Sequence, residues 1–156
     1  MSEPEARHRL AAILAADAAG YSRVMAEDDR VALATLDAAR IVFRKHIEAQ
    51  GGRVIDTAGD SVLASFETAT GAVRSAVAIQ RKLSTPARGK RNAALSFRIG
   101  LHIGDVLEKA DGSVYGDGVN IAARLQALCE PGGVMVSQAV HGAVASRIRG
   151  GFEDAG

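Results

Sequence analysis

Two aspartates stand where apolar runs stop, and that placement is the first sign of chemistry in this chain. Asp17 closes the run 10–16, and Asp60 lies in the turn between Ile55 and Ser61. A carboxylate at the end of a buried strand is costly unless a positive charge meets it, and two such acids facing each other form a cradle for divalent cations, which prefer hard oxygen ligands. An aspartate can equally do no more than satisfy a turn by accepting from backbone amides. Behind Asp17 come Ala18, Ala19, Gly20, Tyr21 and Ser22, a small-residue turn into a helix whose free N–H groups are placed to hold a phosphate. A plain strand-to-helix connection reads the same way. Further along, Asn120 and Arg124 share one side of a helix. The guanidinium suits charge spread over phosphoryl oxygens, and the amide can hold a ribose oxygen without adding charge. A solvated arginine and a near-cap asparagine would have the same spacing.

The elements that must position these groups follow from periodicity. Residues 9–16 are a continuous apolar run, read as a buried central strand. After Ser22, Val31, Leu33, Leu36, Ile41, Val42 and Ile47 recur near helical spacing until Gly51 and Gly52, which predicts one long helix. Residues 53–55 and 61–66 are two strands of a hairpin around Thr57, Ala58, Gly59 and Asp60, with the acid at the tip. Residues 68–83 form a second amphipathic helix and 84–94 a loop. Residues 96–109 alternate, with Phe97, Ile99, Leu101, Ile103 and Val106 assigned to one face of a long antiparallel strand. A turn over 112–118, a helix over 119–128, a strand over 134–136 and a helix over 139–148 complete the chain. The order β-α-β-β-α-β followed by α-β-α predicts an α+β, ferredoxin-like sandwich: a mostly antiparallel sheet with helices packed on one face.

Composition narrows the field. The 156 residues fit one domain, 47% of them hydrophobic and 24% charged, which excludes disorder and fibrous repeats. With 19 Lys and Arg against 18 Asp and Glu, the net charge of +1 supplies no field for nucleic acid or an anionic membrane, so a polyanionic ligand must be met locally. The lone Cys129 cannot form an internal disulfide, and a cytoplasmic location is the expectation. Arg7 to Arg9 with the run 10–16 imitate a signal segment, but Asp17 ends that run where small neutral residues would be wanted. No stretch reaches the ~18–20 apolar residues of a membrane span.

Taken together, four ordered motifs carry a resemblance. Ala16-Asp17-Ala18-Ala19-Gly20-Tyr21-Ser22, Thr57-Ala58-Gly59-Asp60-Ser61, Phe97-Arg98-Ile99-Gly100-Leu101-His102-Ile103-Gly104-Asp105-Val106 and Val114-Tyr115-Gly116-Asp117-Gly118-Val119-Asn120-Ile121-Ala122-Ala123-Arg124 together resemble the class III adenylate/guanylate cyclase catalytic domain, in its bacterial branch, from about Leu10 to about Asp154. The resemblance implies a catalytic domain over 1–156 that closes ATP or GTP into a 3′,5′-cyclic nucleotide with release of pyrophosphate. It implies Asp17 and Asp60 as ligands of two Mg²⁺ or Mn²⁺ ions, Asn120 orienting the ribose and Arg124 stabilising the transferring phosphate. It also implies a head-to-tail homodimer, in which the acids come from one chain and the Asn/Arg helix from the other.

Two places depart from the family. Adenylate cyclases read adenine with a Lys and an Asp at the positions occupied here by Asp56 and Ser113. An acid at 56 could accept from guanine N1–H and its amino group while a hydroxyl at 113 donated to O6; equally, Asp56 could be a solvent-facing turn residue. Family domains also continue beyond 152–154 into a hairpin whose Lys grips the triphosphate, so either the sequence stops short of it or that contact is lost. A catalytically silent cyclase homologue that dimerises or senses nucleotide is the competing expectation.

Overall fold

The computed structural model describes residues 6–84, 95–148 and 151–155. Its centre is β1 (Arg7–Ala19), with residues 11–16 buried whichever face they point to. A run that is apolar on both faces marks a strand covered on both sides, which is why it lacks alternation. β1 pairs antiparallel with β3 (Val62–Phe66) on one side and with β4 (Ser96–Glu108) on the other, the latter from Arg7 opposite Glu108 to Ala19 opposite Ser96. Outside these lie β2 (Arg53–Asp56) and the short β5 (Val114–Tyr115), in the order β2-β3-β1-β4-β5. β6 (Val134–Val136) adds to β4 in parallel.

The parity of β1 sorts the core. Ala12, Leu14, Ala16 and Ala18 face a large cluster closed by α2 (Asp29–Ala49), α3 (Ala69–Ser84) and α5 (Gln138–Val144). Phe43 of α2 meets Phe97 of β4 there, ring centroids 5.0 Å apart. Each such fully buried large side chain contributes about 1.5–3 kcal/mol. Gln80 of α3 donates from Nε2 to the carbonyls of Phe97 (2.8 Å) and Gly133 (2.7 Å), fastening the helix to the sheet's far end.

Ala11, Ile13 and Ala15 face the opposite way, into a smaller cluster with Val106, Val114 and Ala122. Ala122 belongs to α4 (Asp117–Leu128). The α+β sandwich with a mostly antiparallel sheet is the observed fold, and the helices expected on one face are α2, α3 and α5; α4 lies across the other. It can do so because Gly100 and Gly104 leave β4 flat beneath it: a Cβ on Gly100 would lie 2.4 Å from the Ala122 carbonyl oxygen and the Gln126 nitrogen.

The turn expected over 112–118 contains β5 and the start of α4, and the helix expected over 139–148 ends at Val144; three other features differ from expectation, each for a local reason. The long helix after Ser22 is two, α1 (Tyr21–Glu27) and α2, because Asp28 is extended and caps α2 by accepting from Arg30 N (3.1 Å) and Val31 N (3.2 Å). Val106 differs in parity from Phe97, Ile99, Leu101 and Ile103 and so lies in the smaller cluster rather than with them. β1 continues through Asp17 to Ala19, so the apolar run stops at Asp17 but the strand does not. The loop expected over 84–94 falls outside the described residues from 85 to 94. No helix among the described residues is long and apolar enough to cross a membrane.

Candidate active site

Pairing between β1 and β3 ends with Ala16 opposite Val62, which sets the β2–β3 turn beside Asp17. The turn is closed by Ser61 N donating to the Ala58 carbonyl (2.9 Å), with Gly59 at φ 58°, a left-handed conformation that glycine adopts without strain. From it Asp60 reaches back to β1, its Oδ2 accepting from Ala18 N at 3.2 Å. The two acids thus meet across the strand pair. A second grip comes from α2: Arg40 Nη2 donates to the Gly59 carbonyl, and its Nη1 lies 3.5 Å from Asp37 Oδ1.

The environment of Asp17 is unfavourable to its own charge. Its Oδ1 is buried and has no hydrogen-bond partner, although its side chain as a whole is 32% exposed. Burial and then the nearby Asp60 carboxylate push its pKa above the ordinary aspartate value, outweighing the opposing pull of Arg98 and of the Gln126 amide. Arg98 stands directly opposite Asp17 in the β1–β4 register, with Nη1 3.9 Å from Oδ1, a distance at which attraction is weak and no hydrogen bond forms. Two mutually repelling carboxylates, one with an orphaned oxygen, fit a divalent cation. Among the described residues no three His, Cys, Asp or Glu side chains gather into a ligand group. A two-carboxylate donor set is what Mg²⁺ uses when substrate phosphates and water complete its shell.

Next to the acids, Gly20 (φ 75°) turns the chain into α1, and no side chain caps that helix. Its first backbone bond is Val24 N to the Gly20 carbonyl (3.2 Å), so the N–H groups of Tyr21, Ser22 and Arg23 have no acceptor within the helix. Of the 18–22 turn, Ala18 N is already engaged by Asp60, and Tyr21 and Ser22 lie where an anion held by the acid pair would meet backbone donors.

Asn120 and Arg124 are elsewhere. Ala122 and Gln126 face the sheet, and Asn120 and Arg124, each two residues out of phase and hence rotated by roughly 200°, are exposed on the outer side of α4. The structure brings together Asp17, Asp60 and the 18–22 turn and leaves the amide and guanidinium facing away from them.

Asp56 and Ser113 sit on segments that the Arg53 side chain links, its Nη1 donating to the Gly112 carbonyl at 3.2 Å. Asp56 ends β2, just past a register irregularity between Val54 and Asp56, and is exposed. Ser113 lies in the β4–β5 turn, where both its N (2.9 Å) and its Oγ (2.5 Å) donate to Asp111 Oδ1; these bonds hold the Asp111 carboxyl below its ordinary pKa. The Ser113 proton expected to serve a base oxygen is thus spent on Asp111, and the hydroxyl is left to accept. Arg98, Gln126, Arg40 and Asp111 escaped the sequence reading. The parity of β4 puts Arg98 on the Asp17 face, but the cross-strand register that makes them opposite is a tertiary fact.

The family model described as the adenylate and guanylate cyclase catalytic domain matches residues 4–153. A Rhizobium meliloti protein carrying the provisional name adenylate cyclase 3 is 40% identical over 158 residues, covering 100% of this chain and 27% of its own length. The crystal structure of an adenylate/guanylate cyclase/hydrolase from Silicibacter pomeroyi, 41% identical, superposes with a TM-score of 0.80 over 96% of this chain and 88% of the other. The adenylyl cyclase CyaB from P. aeruginosa, at 20% identity, shares the fold with a TM-score of 0.83 over 93% of this chain and 85% of its own.

Proposed function

The chain belongs to the adenylate and guanylate cyclase catalytic domain family, and on that premise we propose that it converts ATP or GTP into the 3′,5′-cyclic nucleotide and pyrophosphate, a second-messenger synthesis. The observation that carries this reading is the buried Asp17 Oδ1, without a hydrogen-bond partner, held near Asp60 at the mouth of an uncapped helix. Asp17 and Asp60 would hold Mg²⁺ or Mn²⁺, two ions per site. Such ions, when bound, supply Lewis-acid charge that acidifies the ribose 3′-hydroxyl and neutralises the leaving phosphate.

What the chain's own residues do follows from their placement. Within the 18–22 turn the free backbone amides of Tyr21 and Ser22 receive phosphate oxygens, and Arg40 fixes the turn that carries Asp60. Asn120 orients the ribose, and Arg124 offsets the charge that develops on the transferring phosphoryl group. Both are on the outer face of α4, so they act on the acid pair of a second copy, and the working unit is a homodimer with two sites between its subunits. The chain spans about a quarter of the length of the Rhizobium relative, so this activity is proposed for the domain and leaves its regulation to whatever accompanies it.

A silent, nucleotide-sensing module is favoured by Asp56 and by the engagement of Ser113 with Asp111. One experiment separates the readings. The protein is incubated with ATP and with GTP, each with Mg²⁺ and with Mn²⁺, and the products are resolved by chromatography. A cyclic mononucleotide is expected from the wild type, with turnover reduced by at least about a hundredfold in Asp17→Ala and Asp60→Ala. Absence of cyclic product under all four conditions, or its persistence in both variants, would sink the enzymatic reading.

A further inference from the structure

β2 and β5 stand at opposite ends of the strand order, yet a side chain of β2 reaches the turn that leads into β5. Arg53, on β2, makes the connection. Its Nη2 lies 2.9 Å from Glu108 Oε2, and its Nη1 donates to the Gly112 carbonyl at 3.2 Å. The other Glu108 oxygen takes Arg9 Nη1 of β1 at 3.1 Å. Glu108 is only 18% exposed, against 47% for Arg53, so both of its oxygens are committed in a partly dry place, where charge-assisted bonds count for more than at an open surface.

The far side of this connection is a closed unit. Gly112 N donates to the Lys109 carbonyl (2.9 Å), Lys109 N to the Ser113 carbonyl (2.9 Å), and Asp111 takes both donors of Ser113. Gly112 has φ 91°, and a Cβ there would lie 3.1 Å from Arg53 Nη1, so the turn is shaped to admit the guanidinium to its backbone. The turn cannot easily deform internally; beyond the strand ladder, Arg53 ties it directly to β2. Asp56 lies three residues beyond Arg53 on β2, and Ser113 follows Gly112 directly.

We propose that Arg53, anchored by Glu108, is a positioning residue that fixes the separation of Asp56 and Ser113 and thereby sets the preference between ATP and GTP. The inference rests on the cyclase reading above and names what tunes its specificity. Arg53 and Glu108 act through the turn and not on the nucleotide itself in this proposal. Freed from the strut, the turn bearing Ser113 shifts relative to Asp56, base contacts weaken unequally, and the better substrate loses more than the poorer one.

The test compares kcat and KM for ATP and GTP in the wild type, Arg53→Met, Arg53→Lys and the milder Glu108→Gln, with folding checked by thermal melting. Arg53→Met keeps the apolar stem and removes the guanidinium; Arg53→Lys keeps the charge toward Glu108 and loses the second arm. Expected is a rise in KM for the preferred nucleotide and a move of the ATP-to-GTP ratio of kcat/KM toward unity by at least about fivefold in Arg53→Met, smaller in Arg53→Lys, with kcat within about threefold of wild type. A folded Arg53→Met or Glu108→Gln with an unchanged ratio, an equal loss of kcat for both nucleotides, or a wild type that uses both equally would overturn the strut and leave the cyclase reading standing. A wild type inactive on either nucleotide would bring down both.

Discussion

Asp17 is held in a state that its surroundings resist. Burial and the Asp60 charge raise its pKa from 3.8, so the folded protein binds that proton more readily than the unfolded chain. The stabilisation linked to this proton is complete below the unfolded value and disappears as pH rises through the folded one; near neutrality the ionised Asp17 is a net cost to the metal-free fold. Asp17→Asn should therefore melt higher than wild type at pH 7 in chelator and equal to it near pH 3, with about 2–4 °C gained per kcal/mol relieved. Mg²⁺ at millimolar concentration should raise the wild type and not the variant, narrowing or reversing the gap, because a ligand stabilises only the state that binds it. Differential scanning calorimetry at the two pH values, with and without the ion, reads both. A variant less stable than wild type at pH 7 in chelator would mean that Arg98 outweighs burial and repulsion.

At the scale of elements, α4 matters most, because it covers one sheet face while presenting Asn120 and Arg124 outward. Its seat is backbone on backbone over Gly100, and neither the Ala122 carbonyl nor the Gln126 nitrogen can swing aside as a side chain would. Gly100→Ala is expected to cost about 1–3 kcal/mol by overpacking and to tilt α4 away from the sheet. Under the proposed function, cyclase turnover should fall further than the loss of folded protein accounts for, since α4 would carry the groups that meet another chain's acids. Urea unfolding and activity measured on the same preparation distinguish this from a simple loss of stability. Activity that tracks the folded fraction alone would show that the seat of α4 is structural only.

At the scale of the whole molecule, the acid pair and the Asn120/Arg124 side of α4 do not face each other within one chain, which under the proposed function makes them halves of two sites shared between copies. The acid pair lies near the C-terminal end of the central strand β1, and the outer side of α4 is turned from it. Two copies related by a twofold axis would each supply what the other lacks, as isologous pairing requires. Asp17→Ala and Arg124→Ala, each inactive alone, should regain about a quarter of wild-type turnover when mixed in equal amounts and allowed to exchange, since half the dimers are mixed and each of those holds one intact site. Failure of mixing to restore activity, with subunit exchange verified by a tagged copy, would exclude the shared site.

Sequence alone determined the parts whose cause is local. The uninterrupted apolar run 10–16 marks a buried segment that its context makes a central strand, the breaks at Gly51 and Gly52 end a helix, and the two aspartates show themselves because a charge beside an apolar run needs a partner. The spacing of Asn120 and Arg124 places them on one side of a helix. Tertiary structure alone decided which sheet face α4 would cover, that Arg98 would stand opposite Asp17, that Arg40 would hold the Asp60 turn, and that Arg53 would cross to Glu108. The physical reason is that register and sheet coiling depend on sums of packing over many residues far apart in the chain. The break at Asp28 is the instructive intermediate case: an aspartate inside a helical pattern carries a capping signal, but whether the chain continues or restarts there is settled by what the two helices pack against.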